Sequence, residues 1–332
     1  MSAHLFLTIL LCIPTVVFAS SKLEKTVPIV SMQPEFSAFW KLAKSKPFPE
    51  QVQFWDQIIE GPQKKIFDFA VWEKQFRPNW KETKERTLKS RFSFYPNIYD
   101  STIEAFGKLP AVVNQAIINL KDFLPSFRVN FPIYAVVAPN FDAKSALTSA
   151  DPKSVAMIVA IDSATAENAN YKIFLPHELF HAFHAKEKGF INDGVMEGVS
   201  IVIPLWEEGL ATYISGLINP QVLDSDLLFD EHFKAIKKSD LQWLARRFLE
   251  QKNSKVLYPS PSDEFKMWFS VGLKKVREDL PNRLGYFLGL NVIRKVALKY
   301  SLSSIVNFTP KAAETHATDA LKELAANEEH AL

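Results

Sequence analysis

The hydrophobic period of this chain changes twice, and those changes constrain the fold more than any other feature. From Pro34 to about Pro125, apolar residues recur at three- and four-residue spacing, as at Val52, Trp55, Ile58 and Ile59. The segment reads as a run of short helices broken by prolines: PEFSAFWKLAKS, PEQVQFWDQIIEG, a piece through KKIFDFAVWEKQF, STIEAFGKL and PAVVNQAIINLKDFL. Two short apolar runs follow, RVNFPIYAVVAP (128–139) and SVAMIVAID (154–162), rich in β-branched residues and bounded by Pro, Asn and Asp, as strands are. Helical spacing then returns, in YKIFLPHELFHAFHAKEKG (171–189), in PLWEEGLATYISGLI (204–218) beyond a glycine-containing loop, and in most of the remainder. The expected class is α+β, mainly helical, with one small sheet just ahead of the histidine-rich segment. No repeat appears, nor any linker long or polar enough to separate an independently folding domain. SVAMIVAID reads either as an exposed edge for an extended peptide or as a buried core strand.

Residues 1–19 read as a signal peptide: Leu5 to Phe18 is an uncharged, mostly apolar run, and Val17, Phe18 and Ala19 suit the positions that signal peptidases recognise. The run is short of the roughly 20 residues that span a bilayer, so no stable membrane span is expected after cleavage. Secretion or a periplasmic location follows. Residues 20–127 then form an N-terminal helical region, and 128–332 hold the chemistry and the C-terminal helices. The only cysteine, Cys12, lies in the leader, which removes thiolate nucleophiles and thiolate metal sites from the mature chain. The 39 basic and 37 acidic residues form no long block of one sign, and no nucleic-acid partner is expected.

The chemistry concentrates in HELFH. On a helix, positions i and i+4 share a face, so His177 and His181 can aim both imidazoles at one point, and Glu178 is placed to take a proton from a metal-activated water. A catalytic zinc has three protein ligands and one open position, so another element should supply a third donor. The candidates are Glu208, Glu207, Glu197 and Asp193. Adjacent helical residues point about 100° apart, so only one of Glu207 and Glu208 can face the metal. Gly209 within that helix implies a neighbour too close for a side chain, with the His helix as the expected neighbour.

HELFH followed by WEEGLATY resembles the gluzincin branch of zinc metallopeptidases, which includes thermolysin-like enzymes, the membrane-alanyl aminopeptidase type and bacterial collagenases. It is more particularly similar to bacterial families of predicted secreted zinc proteases. The resemblance is specific over residues 171–218 and implies a zincin-like core with an active-site helix and a glutamate helix. It implies Zn2+ on His177, His181 and Glu208, with Glu178 as general base. Glu207 is then expected to face solvent or orient a ligand histidine, and His184 to lie in the surroundings of the site or at the surface. The RLGYFLG segment resembles a stretch near the C-terminal end of those proteases. It favours Tyr286 as the group that stabilises the oxyanion, with Arg283 second, among candidates that include Tyr213, His232 and His316. One departure is Pro176, directly before His177: either the helix starts there or a longer helix kinks there. The implied function is an exported zinc metallopeptidase acting on a peptide or protein. The alternatives are a zinc- or peptide-binding envelope protein without turnover, and a helical scaffold in which the motif is accidental.

Overall fold

The computed structural model describes residues 27–75, 77–151, 153–189, 198–256, 262–270 and 274–326. The leader with Cys12, and the rival ligands Asp193 and Glu197, lie outside the described residues. The helices are α1 (Gln33–Ala43), α2 (Phe48–Phe54), α3 (Lys64–Ile66), α4 (Trp80–Phe123), α5 (Ile161–Ala166), α6 (Tyr171–Lys188), α7 (Val202–Ile218), α8 (Asp224–Leu227), α9 (Lys238–Gln251), α10 (Asp263–Phe269), α11 (Leu284–Ala297), α12 (Leu302–Val306) and α13 (Pro310–Ala325). The strands are β1 (Ile29–Ser31), β2 (Ile133–Val136), β3 (Ala143–Leu147) and β4 (Val155–Ala160). The expected α+β class, mainly helical with one small sheet, is the one observed.

The proline-broken helices differ from expectation at α4. Residues Trp80–Phe123 form one helix of 44 residues, with Pro96 and Pro110 inside it, about 66 Å long. A proline within a helix costs about 3 kcal/mol by removing a donor and crowding the preceding turn. A continuous buried stripe, from Leu88, Phe92 and Tyr95 through Phe106, Leu109 and Val113 to Leu120, offsets that cost. Tertiary packing overrides the local signal. The N-terminal helices and the rest of the described chain share one contiguous hydrophobic core, running from Met32 to Leu321.

Ahead of α4 the chain is tied by a buried carboxylate. After α2 comes a wider π turn, Trp55–Glu60, and one oxygen of Glu60 accepts hydrogen bonds from the indole N–H groups of Trp55 and Trp72, each at 2.8 Å, and an ion pair from Lys84 at 2.7 Å. Removing that acceptor strands two buried indole donors and takes from Lys84 the more shielded of its two carboxylate partners, leaving it Asp56. Glu60→Ala is therefore expected to lower unfolding stability by about 3–5 kcal/mol, read as a lower denaturant midpoint with an unchanged slope.

The sheet order is β1-β2-β4-β3, with β1, β2 and β4 parallel and β3 antiparallel to β4. All six residues of β4 are buried, and it lies between β2 and β3, so SVAMIVAID is an internal strand and not an edge. The edge on that side is β3, whose sequence AKSAL lacks β-branched residues and carries no strand signal of its own. The end of β4 is anchored to α4 and to the end of β2 by fully buried Asp162, which accepts hydrogen bonds from Tyr95 Oη (3.0 Å) and the Ala138 N–H (2.8 Å). α5 and then α6 follow, and α6 packs against β3, β4 and α4.

Candidate metal centre

Helix α6 starts at Tyr171, capped by the Asn170 side chain, which accepts the Lys172 N–H at 3.2 Å, and stops at Gly189 with a φ of 74°. It runs through Pro176 and does not begin there, which places His177 beyond its first turn. Proline leaves the carbonyl four residues back without its helical partner. That carbonyl, on Lys172, accepts a hydrogen bond from Asn219 Nδ2 at 3.1 Å, and the next one, on Ile173, accepts from Ser215 Oγ at 2.6 Å. Both donors come from the C-terminal end of α7. The helix that carries Glu208 thus satisfies the backbone around the proline in the helix that carries the histidines.

Across this pairing, three donor atoms converge. His177 Nε2 and His181 Nε2 are 3.1 Å apart, and Glu208 Oε2 lies 3.3 Å from the first and 3.2 Å from the second. Hydrogen bonds account for two sides of this triangle at most, because two ring N–H groups aimed at one carboxylate oxygen leave no lone pair for the imidazole–imidazole side. One cation accounts for all three: nitrogen and oxygen ligands about 2.0–2.1 Å from a tetrahedral ion stand roughly 3.3 Å from one another. His177, His181 and Glu208 form the group that could hold a metal ion among the described residues, with both histidines buried.

The electrostatics of the three groups are coupled. Burial disfavours a charged imidazole at His181, and the Glu208 carboxylate overrides it, pushing its pKa up to about 9. Burial would likewise raise Glu208, but the imidazoles, His181 foremost, hold it well below the ordinary carboxylate range. At His177 burial prevails and lowers the pKa. Glu178 stands in the cleft wall beside them, and burial pushes its carboxyl up to about 8.

Glu207 departs from its expected role. It is 2% exposed, one of its carboxylate oxygens has no hydrogen-bond partner, and burial pushes its pKa up to about 8. It neither faces solvent nor hydrogen-bonds a ligand histidine. His184 is not at the surface: it is buried against Phe180, its rings stacked at 5.1 Å, and its Nε2–H donates to the Val306 carbonyl of α12 at 3.3 Å. Burial lowers its pKa to about 3, so it is neutral.

The neighbour of Gly209 is also not the expected one. A Cβ there would stand 2.3–2.7 Å from the backbone of Gly289 on α11, not against α6. This close crossing of α7 and α11 brings Tyr286 beside the site. Its ring lies 6.4 Å from that of His177 and nearly parallel to it, at 21°. The guanidinium of Arg283 sits 4.1 Å above the Tyr286 ring centroid. Burial pushes the Tyr286 hydroxyl above its usual range, so it remains a protonated donor.

Of the oxyanion candidates, Tyr286 and Arg283 line the cleft that contains the metal group. Tyr213 does not, His232 is an exposed partner of Asp230, and His316 packs on Tyr300 and Phe308. The cleft holds about 570 Å³. Sequence reasoning missed two of its walls: Asp142 to Ser145 at the start of β3, and the turn around Phe229. No protein-family model, curated protein or solved structure matches the chain.

Proposed function

We propose that the chain is a zinc metallopeptidase with a zincin-like core, exported by the leader at residues 1–19 and acting outside the cytoplasm on peptides or proteins. The observation that carries the reading is the triangle of His177, His181 and Glu208 donors opening into a cleft whose wall also presents Glu178. Two imidazoles and a carboxylate in near-tetrahedral spacing are a donor set that suits zinc and leaves one position for solvent or substrate. Zinc bound there would act as a Lewis acid toward water and the scissile carbonyl.

The chain's own groups supply the proton handling. Glu178 accepts a proton from the attacking water and returns it to the leaving amine. Burial raises the proton affinity of this carboxyl, which favours its taking a proton from water, and a cation bound beside it would favour the return. Tyr286, held protonated beside His177, donates to the developing oxyanion, with Arg283 stacked on its ring as a second cationic donor. β3 is an edge strand and Asp142 to Ser145 lie in the cleft wall, so an extended peptide can add a strand to the sheet alongside the metal group. Among the described residues, no helix is long and apolar enough to cross a membrane.

Glu178→Gln tests the reading. The substitution keeps shape and leaves all three ligands, so zinc content should match the unaltered protein while peptide cleavage falls about 10²–10⁴-fold, the usual contribution of a positioned proton-transfer group. Cleavage that persists with zinc retained would remove Glu178 as the base. Stoichiometric zinc with no cleavage by the unaltered protein would favour the binding protein without turnover.

A further inference from the structure

Two of the four described non-glycine residues with positive φ, Phe229 at 54° and Arg283 at 60°, line the cleft. This backbone conformation is unfavourable for a bulky L residue and persists only where the surroundings impose it. At Phe229 they do. The turn after α8 is closed by the Leu228 N–H donating to the Asp224 carbonyl and the Asp230 N–H donating to the Ser225 carbonyl, each at 3.0 Å. The Asp224 side chain is gripped by both terminal nitrogens of Arg294 on α11, at 2.6 and 2.7 Å.

That scaffold holds an aromatic ring 43% exposed over the cleft. The ring meets Phe174 nearly edge-on, at 6.4 Å and 82°. Phe174 lies one helical turn before His177 and Glu178, so the apolar surface begins beside the metal group. Below Phe229, the buried side chains of Leu227, Leu228 and Phe233 complete this wall, while Asp142, Lys144 and Glu167 line the cleft with polar groups. The turn accounts for the backbone at Phe229 but not for a half-exposed phenylalanine in it; a ligand side chain laid against the ring would account for that choice.

Resting on the peptidase reading, we infer that the wall formed by Phe174, Leu227, Leu228, Phe229 and Phe233 is a subsite for a large apolar side chain of the substrate, next to the bond that is cut. Phe229 is its specificity-determining residue. The test uses the zinc-loaded full chain carrying Glu178→Gln and a set of decapeptides that differ at one central position, occupied by Phe, Leu, Lys, Asp or Gly. The Phe and Leu peptides should bind at least about 10-fold more tightly than the Gly peptide. Adding Phe229→Gly should abolish that preference with the melting temperature held within about 3 °C, since glycine adopts this backbone freely. Phe229→Asn, which also tolerates positive φ, serves in its place if the glycine variant does not fold. Equal binding of all five peptides, binding of none, or a preference that survives either substitution would overturn the subsite. If the protein with Glu178 intact binds the Phe peptide selectively but cuts none of the set, the subsite stands and the peptidase reading falls.

Discussion

If the chain is the zinc metallopeptidase proposed above, Glu208→Ala is expected to abolish zinc binding and peptide cleavage together. Binding free energies of a zinc ion in a well-formed site run to about 10–16 kcal/mol, so one ligand in three carries about 3–5 kcal/mol, a loss of roughly 10²–10⁴-fold in affinity. The loss extends beyond one donor, because Glu208 also supplies the negative charge that offsets two imidazoles facing each other at 3.1 Å. Metal titration followed by thermal unfolding separates this effect from misfolding. Added zinc should raise the melting temperature of the unaltered protein, as any ligand selective for the folded state does. It should leave that of Glu208→Ala unchanged at the same concentration. Glu207→Ala is the control: its carboxylate does not belong to the donor triangle, so most of the zinc affinity should survive.

The second large effect is expected at Gly209. Replacing its hydrogen with a methyl group puts that carbon 2.3–2.7 Å from the Gly289 backbone, and a methyl on Gly289 meets the Leu205 carbonyl oxygen at 2.4 Å. No side-chain rotation relieves either clash, so α7 and α11 must separate. Overpacking of this kind costs about 3 kcal/mol or more when only backbone can yield, which for a chain of this size lowers the melting temperature by roughly 4 °C or more. Glu208 adjoins Gly209, and Tyr286 lies one turn before Gly289. The same substitution should therefore weaken zinc binding, whereas a purely structural lesion elsewhere in the core would not. Gly107 gives the opposite result. It is exposed within α4 with nothing near its missing Cβ, so Gly107→Ala should raise stability by about 0.5–1 kcal/mol.

These two sites also show what could and could not be read from the sequence. The histidine pair was legible because its geometry is local: helical spacing alone brings His177 and His181 to one face. The period change likewise located β2, β4 and the helices on either side. β1 and β3 escaped notice because a three-residue strand and the run AKSAL carry no periodic or β-branched signal. α4 was misread for the converse reason. Pro96 and Pro110 are strong local breakers, and the packed stripe that outweighs them becomes apparent only when the rest of the fold is present.

Gly209 signalled a close approach, but its partner lies 80 residues further along the chain, and only the fold brings the two together. Glu208 was identified through the resemblance of WEEGLATY to gluzincin sequences, because spacing alone could not choose among four acids. The strained Phe229 left no sequence signal: phenylalanine at that position reads as ordinary core, and its left-handed backbone is imposed by the Asp224–Arg294 clamp and the turn it braces.

The proposed chemistry requires one ion shared by α6 and α7. The most direct test is elemental analysis of the purified full chain, combined with X-ray absorption at the zinc edge. The expected result is one zinc per chain, bound by two imidazole nitrogens and one carboxylate oxygen, with Glu208→Ala removing the metal. A protein that takes up no stoichiometric metal, or one that holds it with full affinity after Glu208→Ala, would contradict the shared site and the chemistry built on it.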